Sequence, residues 1–134
     1  MPIEFALEPQ LSAAEFQAVL IASTLAARRP TQDLTRLDKM LRQADIVVTA
    51  RDGERLVGIS RAITDFAYCC YLSDLAVAGK YQSQGIGKRL IAETHRAAGY
   101  DTTLILLAAP AAEGYYPKIG MDHLSSCWAI PRKK

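Results

Sequence analysis

Gln82-Ser83-Gln84-Gly85-Ile86-Gly87 places a pair of glycines between an apolar run, Leu72-Ser73-Asp74-Leu75-Ala76-Val77, and an amphipathic segment, Lys88 to Ala98. The first reads as a strand. In the second, Ile86, Leu90, Ile91 and Thr94 fall on one side of a helix. A strand that passes into a helix through a short glycine loop makes an anion site. Glycine lets the backbone approach a ligand closely, and the N–H groups of the first helical turn have no partner of their own. The implied chemistry is capture of a phosphate-bearing ligand. Lys88 and Arg89 in that first turn oppose the helix dipole, and an anionic ligand makes them favourable there.

Two phosphate loops fail on specific residues. A Walker A loop requires Gly-x4-Gly-Lys-Ser/Thr. Gln82 stands where its first glycine should be, and Arg89 replaces the hydroxyl residue that holds magnesium. A dinucleotide loop requires Gly-x-Gly-x-x-Gly, and here Leu90 occupies the third position.

Val77-x4-Gln82-x-x-Gly85-x-Gly87 resembles the acetyl-CoA pyrophosphate loop of the GCN5-related N-acetyltransferase (GNAT) family. Downstream, Tyr115-Tyr116-Pro117-Lys118-Ile119-Gly120-Met121 is similar to that family's (Phe/Leu)-Tyr-x-Lys-x-Gly-Phe segment, at a typical separation. The likeness runs from Ile3 to Ile130. Arg61-Ala62-Ile63-Thr64-Asp65, with Asp74 to Gln82, is further similar to small GNATs grouped with plant arylalkylamine and chloroplast acetyltransferases. Three positions depart from the family pattern. Ala109 replaces an asparagine seven residues before the tyrosine, Gly79 a common proline and Met121 the usual phenylalanine.

The resemblance implies acetyl transfer from acetyl-CoA to a primary amine, with no metal. Backbone N–H groups from Gln82, Ser83, Gln84, Gly85, Ile86, Gly87 and Lys88 would hold the pyrophosphate. The pantetheine arm would pair with the exposed backbone of Leu75, Ala76 and Val77, where an N–H would serve the thioester oxygen. Tyr116 would be the general acid for the leaving thiolate, because a phenol is protonated at neutral pH. Tyr115 would be core or wall. Many relatives carry Glu or His at the positions of Tyr71 and Ser73, and neither is present here. Proton removal from the amine therefore falls to a water relay or to the adjacent Asp74, which alternation sends to the other face unless a bulge re-aims it. The acceptor pocket would be lined by the first helices, Arg28, Arg29, Tyr71 and Ser73; the arginines fit either an acidic acceptor or solvent. Few long loops are available for a peptide groove, which favours a small amine. Acetylation of protein lysines or N-termini, or acetyl-CoA binding without catalysis, are the alternatives.

The positioning elements follow from pattern. Ile3 to Leu7 reads as a strand. Ser12 and Glu15 have capping-box spacing ahead of Phe16, Val19, Leu20 and Ser23, and Ala27 to Pro30 breaks that helix. Leu34, Leu37, Leu41 and Ala44 repeat along a helix from Asp33 to Ala44. Ile46 to Ala50 and Leu56 to Ile63 flank a hairpin turn containing Asp52-Gly53. Tyr68 to Val77 is a strand. Thr103 to Leu107 is fully apolar after its first residue, as expected at the centre of a sheet. Ala111 to Tyr116 forms a short helix stopped near Pro117, and Ser125 to Ile130 a closing strand. The order β-α-α-β-β-β-α-β-α-β predicts an α+β fold, a mixed and mostly antiparallel sheet flanked by helices.

The chain has 134 residues, half of them apolar and 22% charged, which fits a single domain over 1–134. A net charge of +2 argues against nucleic acid as partner. Arg132-Lys133-Lys134 reads as a solvated tail. No apolar run approaches the roughly 18 residues that span a bilayer, and the start does not resemble a signal peptide. Cys69, Cys70 and Cys127 lack metal-binding spacing and read as reduced thiols of a cytoplasmic protein. His95 and His123 read as structural. Exposed strand edges and the closing strand are available for a homodimer.

Overall fold

Ser12 and Asp33 open the two helices that cover one face of the sheet. The Ser12 hydroxyl accepts the Glu15 N–H at 3.1 Å and starts α1 (Ala13–Ala22); Asp33 accepts the Arg36 N–H at 3.0 Å and starts α2 (Leu34–Gln43). The structure is a computed structural model and describes residues 2–133. Strands β1 (Ile3–Leu7), β2 (Ile46–Asp52), β3 (Arg55–Thr64), β4 (Cys69–Val77) and β5 (Thr103–Ile105) form one sheet in the order β1-β2-β3-β4-β5. All neighbours are antiparallel except β4 and β5, which are parallel. Helix α3 (Ile86–Ala98) follows β4, and a four-residue helix α4 (Tyr115–Lys118) follows β5.

Both faces of the sheet are covered. Phe16, Leu20, Leu37 and Leu41 lie at 0–1% exposure against Val47, Ile59 and Ala76. On the other face Ile86, Leu90 and Ala98 of α3 meet Val48, Val57 and Ala62. Each such fully buried large side chain contributes about 1.5–3 kcal/mol. Gly58 sets how close α3 can come, since a Cβ there would lie 3.1 Å from Leu90 Cδ1.

One irregularity in β4 decides where its side chains go. Arg61 pairs with Asp74 and the next residue, Ala62, with Leu72, so Ser73 is skipped. This bulge changes the face of the strand. Cys70 belongs to the core under α3, whereas Ala76, which simple alternation would put beside it, belongs to the core under α1 and α2.

The order of elements agrees with the pattern read from the sequence as far as α4. Three elements differ in detail. Thr103–Ile105 sits at the edge of the sheet rather than its centre, with Ile105 44% and Leu107 54% exposed. The short helix begins at Tyr115, after a 3-10 turn at Pro110–Ala112. Pro117 lies inside α4 without breaking it, because first-turn N–H groups need no helical partner. Ser125 to Ile130 is exposed and pairs with no strand among the described residues.

Candidate active site

Strands β4 and β5 pair only at Cys69, Cys70 and Tyr71. Beyond Tyr71 they part, and among the described residues the edge of β4 from Leu72 to Val77 that faces β5 has no strand beside it. The gap opens toward the start of α3. There Ser83 and Gly85 both have left-handed backbone, with φ of 66° and 82°, and curl the loop around Gln84. Gly85 is the residue ahead of α3, and no side chain caps that helix. The first helical hydrogen bond runs from the Arg89 N–H to the Gly85 carbonyl at 3.1 Å, so the N–H groups of Ile86, Gly87 and Lys88 precede the ladder. Consecutive free N–H groups in such a curl make an anion-binding concavity, reinforced by the helix dipole.

The loop is held by its own side chains. Gln82 Nε2 donates to the Val77 carbonyl at 3.0 Å, and the Tyr81 hydroxyl donates to Asp52 at 2.7 Å. Arg89 turns away, bonding Glu93 at 2.9 Å with its guanidinium 4.7 Å from the Phe5 ring centre. Lys88 stays exposed beside the loop.

A cavity of about 250 Å³ occupies the gap. Its walls bring together Leu75, Ala76 and Val77 of β4, Gln82, Ser83, Gly85, Ile86 and Gly87 of the loop, and Tyr115 and Tyr116 of α4. Ser23, Thr24, Tyr81 and Ala112 complete it; Tyr81 adjoins the glycine loop in sequence, but nothing local marks the other three. Tyr115 and Tyr116 meet edge to face, 5.3 Å between ring centres. The Tyr115 hydroxyl reaches the helix start, 2.9 Å from where a Cβ on Gly87 would stand. Burial raises the pKa of Tyr116 above its ordinary 10, and neighbouring Tyr115 adds to the shift. Burial also raises Tyr115, opposed by the Lys88 N–H. Both phenols therefore stay protonated at neutral pH. A wider depression of about 410 Å³, between Phe5 and Arg96, contains none of these groups.

Several expected site residues lie outside the cavity. Asp74 is fully buried, and the bulge does re-aim it, but into the helical layer. One carboxylate oxygen accepts from Arg29 Nε and the other from Arg61 Nε. Arg29 also donates to the Ser73 carbonyl at 2.8 Å, and Arg61 to the Ser73 hydroxyl at 3.1 Å. Asp74 is thus the centre of an ion-paired latch, each of its carboxylate oxygens accepting from an arginine. Arg29 and Ser73 are parts of the same latch rather than of an open acceptor pocket. Arg28 is exposed, and Tyr71 stands 37% exposed at the far end of β4. Gln84 is exposed and directs its amide to Lys80. The ionisable side chains of the cavity walls are all tyrosines.

The acetyltransferase (GNAT) domain profile matches residues 14–126, and the chain belongs to this family. An N-acetyltransferase of Gracilaria tenuistipitata var. liui is 26% identical over 96 residues, covering 69% of this chain and 53% of its own length. The chain therefore spans about half of that relative. A GNAT-family acetyltransferase of Streptococcus pneumoniae TIGR4 superposes with a TM-score of 0.74 at 22% identity, over 99% of this chain and 98% of its own. The aminoglycoside N-acetyltransferase AAC(6')-Iy, solved with CoA, gives 0.75 at 14% identity, over 99% and 96%. The structural likenesses establish the shared fold.

Proposed function

We propose that this protein transfers the acetyl group of acetyl-CoA to a small primary amine, with Tyr116 as general acid. The observation that carries the reading is the convergence of an unpaired strand edge, an uncapped helix start and a half-buried phenol on one cavity. The N–H groups of Ile86 and Gly87 bind the pyrophosphate, with that of Lys88 shared with the Tyr115 hydroxyl. The outer β4 edge at Leu75 to Val77 pairs with the pantetheine arm through groups other than the Val77 carbonyl, which holds Gln82, and an N–H of that edge polarises the thioester oxygen. The amine attacks the carbonyl carbon, the carbon–sulfur bond breaks, and the Tyr116 hydroxyl gives its proton to the departing thiolate. With no carboxylate or imidazole on the cavity walls, the amine loses its proton through water. The short connections around the cavity suit a small acceptor. The free thiols of Cys69, Cys70 and Cys127 support a reducing compartment such as the cytoplasm.

Thiol release from acetyl-CoA across a panel of arylalkylamines, amino acids, polyamines and short peptides tests the reading. Tyr116→Phe should lower kcat by about 10²–10⁴-fold, the usual weight of a general acid, with little change in acetyl-CoA affinity. Unaltered kcat would refute the acid assignment. Acetyl-CoA binding with no turnover of any amine would instead indicate a binding module, and selective turnover of peptides a protein acetyltransferase.

A further inference from the structure

We infer that the Tyr115 hydroxyl is part of the donor site and donates a hydrogen bond to a phosphate oxygen of acetyl-CoA. The inference rests on the acetyl-CoA reading above, and it adds a side chain where that reading uses backbone alone. Tyr115 opens α4, and its ring lines the cavity beside Gln82, Ser83, Ile86 and Gly87. Helix α3 follows β4 and α4 follows β5, so this phenol joins two elements that no local pattern connects. At its position the family segment carries Phe or Leu, and the hydroxyl is what this chain adds.

Gly87 shows how closely the phenol is fitted to the helix start. A Cβ there would stand 2.9 Å from the Tyr115 oxygen and 3.5 Å from its Cζ, so the phenol fills the space that a side chain at 87 would take. Gly87 is not among the glycines with left-handed backbone, so the phenol rather than the backbone calls for glycine there. The Lys88 N–H, third in α3, is one that a capping side chain ordinarily serves. Gly85 has no side chain to offer, and the Lys88 N–H turns to the Tyr115 oxygen instead. A phenol that accepts one bond keeps its own O–H to give. Among the described residues Tyr115 has no acceptor for that proton, and burial keeps the proton in place at neutral pH. The other phenols at the cavity are committed elsewhere. Tyr81 donates to Asp52 at 2.7 Å, and Tyr116 is the proposed acid. The free O–H of Tyr115 therefore stands next to the N–H groups that bind the pyrophosphate, and a phosphate oxygen is the acceptor it lacks.

Tyr115→Phe removes the hydroxyl and keeps the ring with its edge-to-face contact on Tyr116. Calorimetry should show acetyl-CoA affinity lowered about tenfold or more, the weight of one hydrogen bond to a charged group. In phosphorus NMR of bound CoA, the two pyrophosphate resonances should move relative to those on the wild type, and the 3′-phosphate resonance should stay. Equal affinity in the variant would overturn the inference. A weakening with unmoved pyrophosphate resonances would overturn it as well, because loss of packing alone gives that result. Tighter binding would make the phenol a plug that the ligand displaces, again against the inference. Failure of the wild type to bind acetyl-CoA is a separate result, which would refute the acetyl-CoA reading itself and this inference with it.

Discussion

Asp74→Asn separates a structural carboxylate from a catalytic one. Asp74 has no exposed surface, and its partner side chains Arg61 and Arg29 are only 10% and 20% exposed. Removing one member of a buried pair leaves the other charge uncompensated and costs about 3–5 kcal/mol. The Arg61 half carries nearly all of that, because its guanidinium is shut in beneath α2, where it also faces the Met40 carbonyl. The Arg29 half is discounted, since a guanidinium at the protein's edge can turn to water. Asparagine keeps one acceptor, worth about 1 kcal/mol. The expected net loss is about 2–4 kcal/mol. Unfolding entropy of about 2.1 cal/mol/K per residue converts this, over the length of this chain, to a fall in Tm of about 7–14 °C.

The assay pairs thermal melting, at fixed protein concentration, with kcat measured well below the lower Tm. A general base would show the opposite pattern, a kcat loss of about 10²–10⁴-fold with Tm nearly intact. For a latch, kcat and its pH profile should change little at low temperature. Adding Arg61→Gln should recover part of the lost stability, because it removes the orphaned charge, so the two substitutions should cost less together than their sum. A collapse of kcat at unchanged Tm, or strictly additive costs, would refute the latch.

Gly87→Ala improves the intrinsic helix propensity of α3 but pushes a methyl toward the Tyr115 hydroxyl, 2.9 Å away. Tm should not fall. Calorimetry should show acetyl-CoA affinity reduced about tenfold, about 1.4 kcal/mol, because the methyl and the displaced Tyr115 hydroxyl crowd the helix start where the pyrophosphate is proposed to sit. Glu8 lies in the Thr49–Arg51–Glu15 cluster, and the Arg51 hydrogen bonds hold its carboxyl below the ordinary 4.5 against the opposing effect of burial. Its stabilisation is therefore complete above pH 4.5 and is lost as pH falls through the lowered folded value. Its side chain is 28% exposed, which limits the effect to about 1 kcal/mol after screening. Urea unfolding at pH 5 and pH 3 should show that loss in the wild type and its absence in Glu8→Gln.

What was legible in the sequence is what local chemistry determines. Ser12 and Asp33 cap helices through residues three positions away, and Gly53, at φ 62°, turns the hairpin where Asp52-Gly53 suggested. The glycine loop is legible for the same reason, since Ser83, Gly85 and the start of α3 are consecutive. The position of β5 was not. An apolar run reads alike at the centre and at the edge of a sheet, and only the course of the arm after Met121 decides between them. The bulge at Ser73 was equally hidden. Cys70, Leu72, Asp74 and Ala76 alternate cleanly in sequence, yet one skipped residue moves Ala76 and Cys70 into different cores.

That skipped residue also explains why the acceptor side resists sequence reasoning more than the donor side. The proposed donor site uses backbone groups, and their availability follows from glycine positions and from a strand edge left bare. The acceptor side depends on side chains whose partners are far apart in the chain. Arg29 and Asp74 are 45 residues apart, and neither carries a local mark of the other. Two arginines around one aspartate leave the latch with one excess positive charge, partly exposed through Arg29 beside the Ser73 carbonyl. In the proposed reaction the attacking amine must be neutral, and a fixed cation there would disfavour its protonated form at close range. The latch that occupies both Asp74 oxygens thus also sets the charge on the Ser73 side of β4.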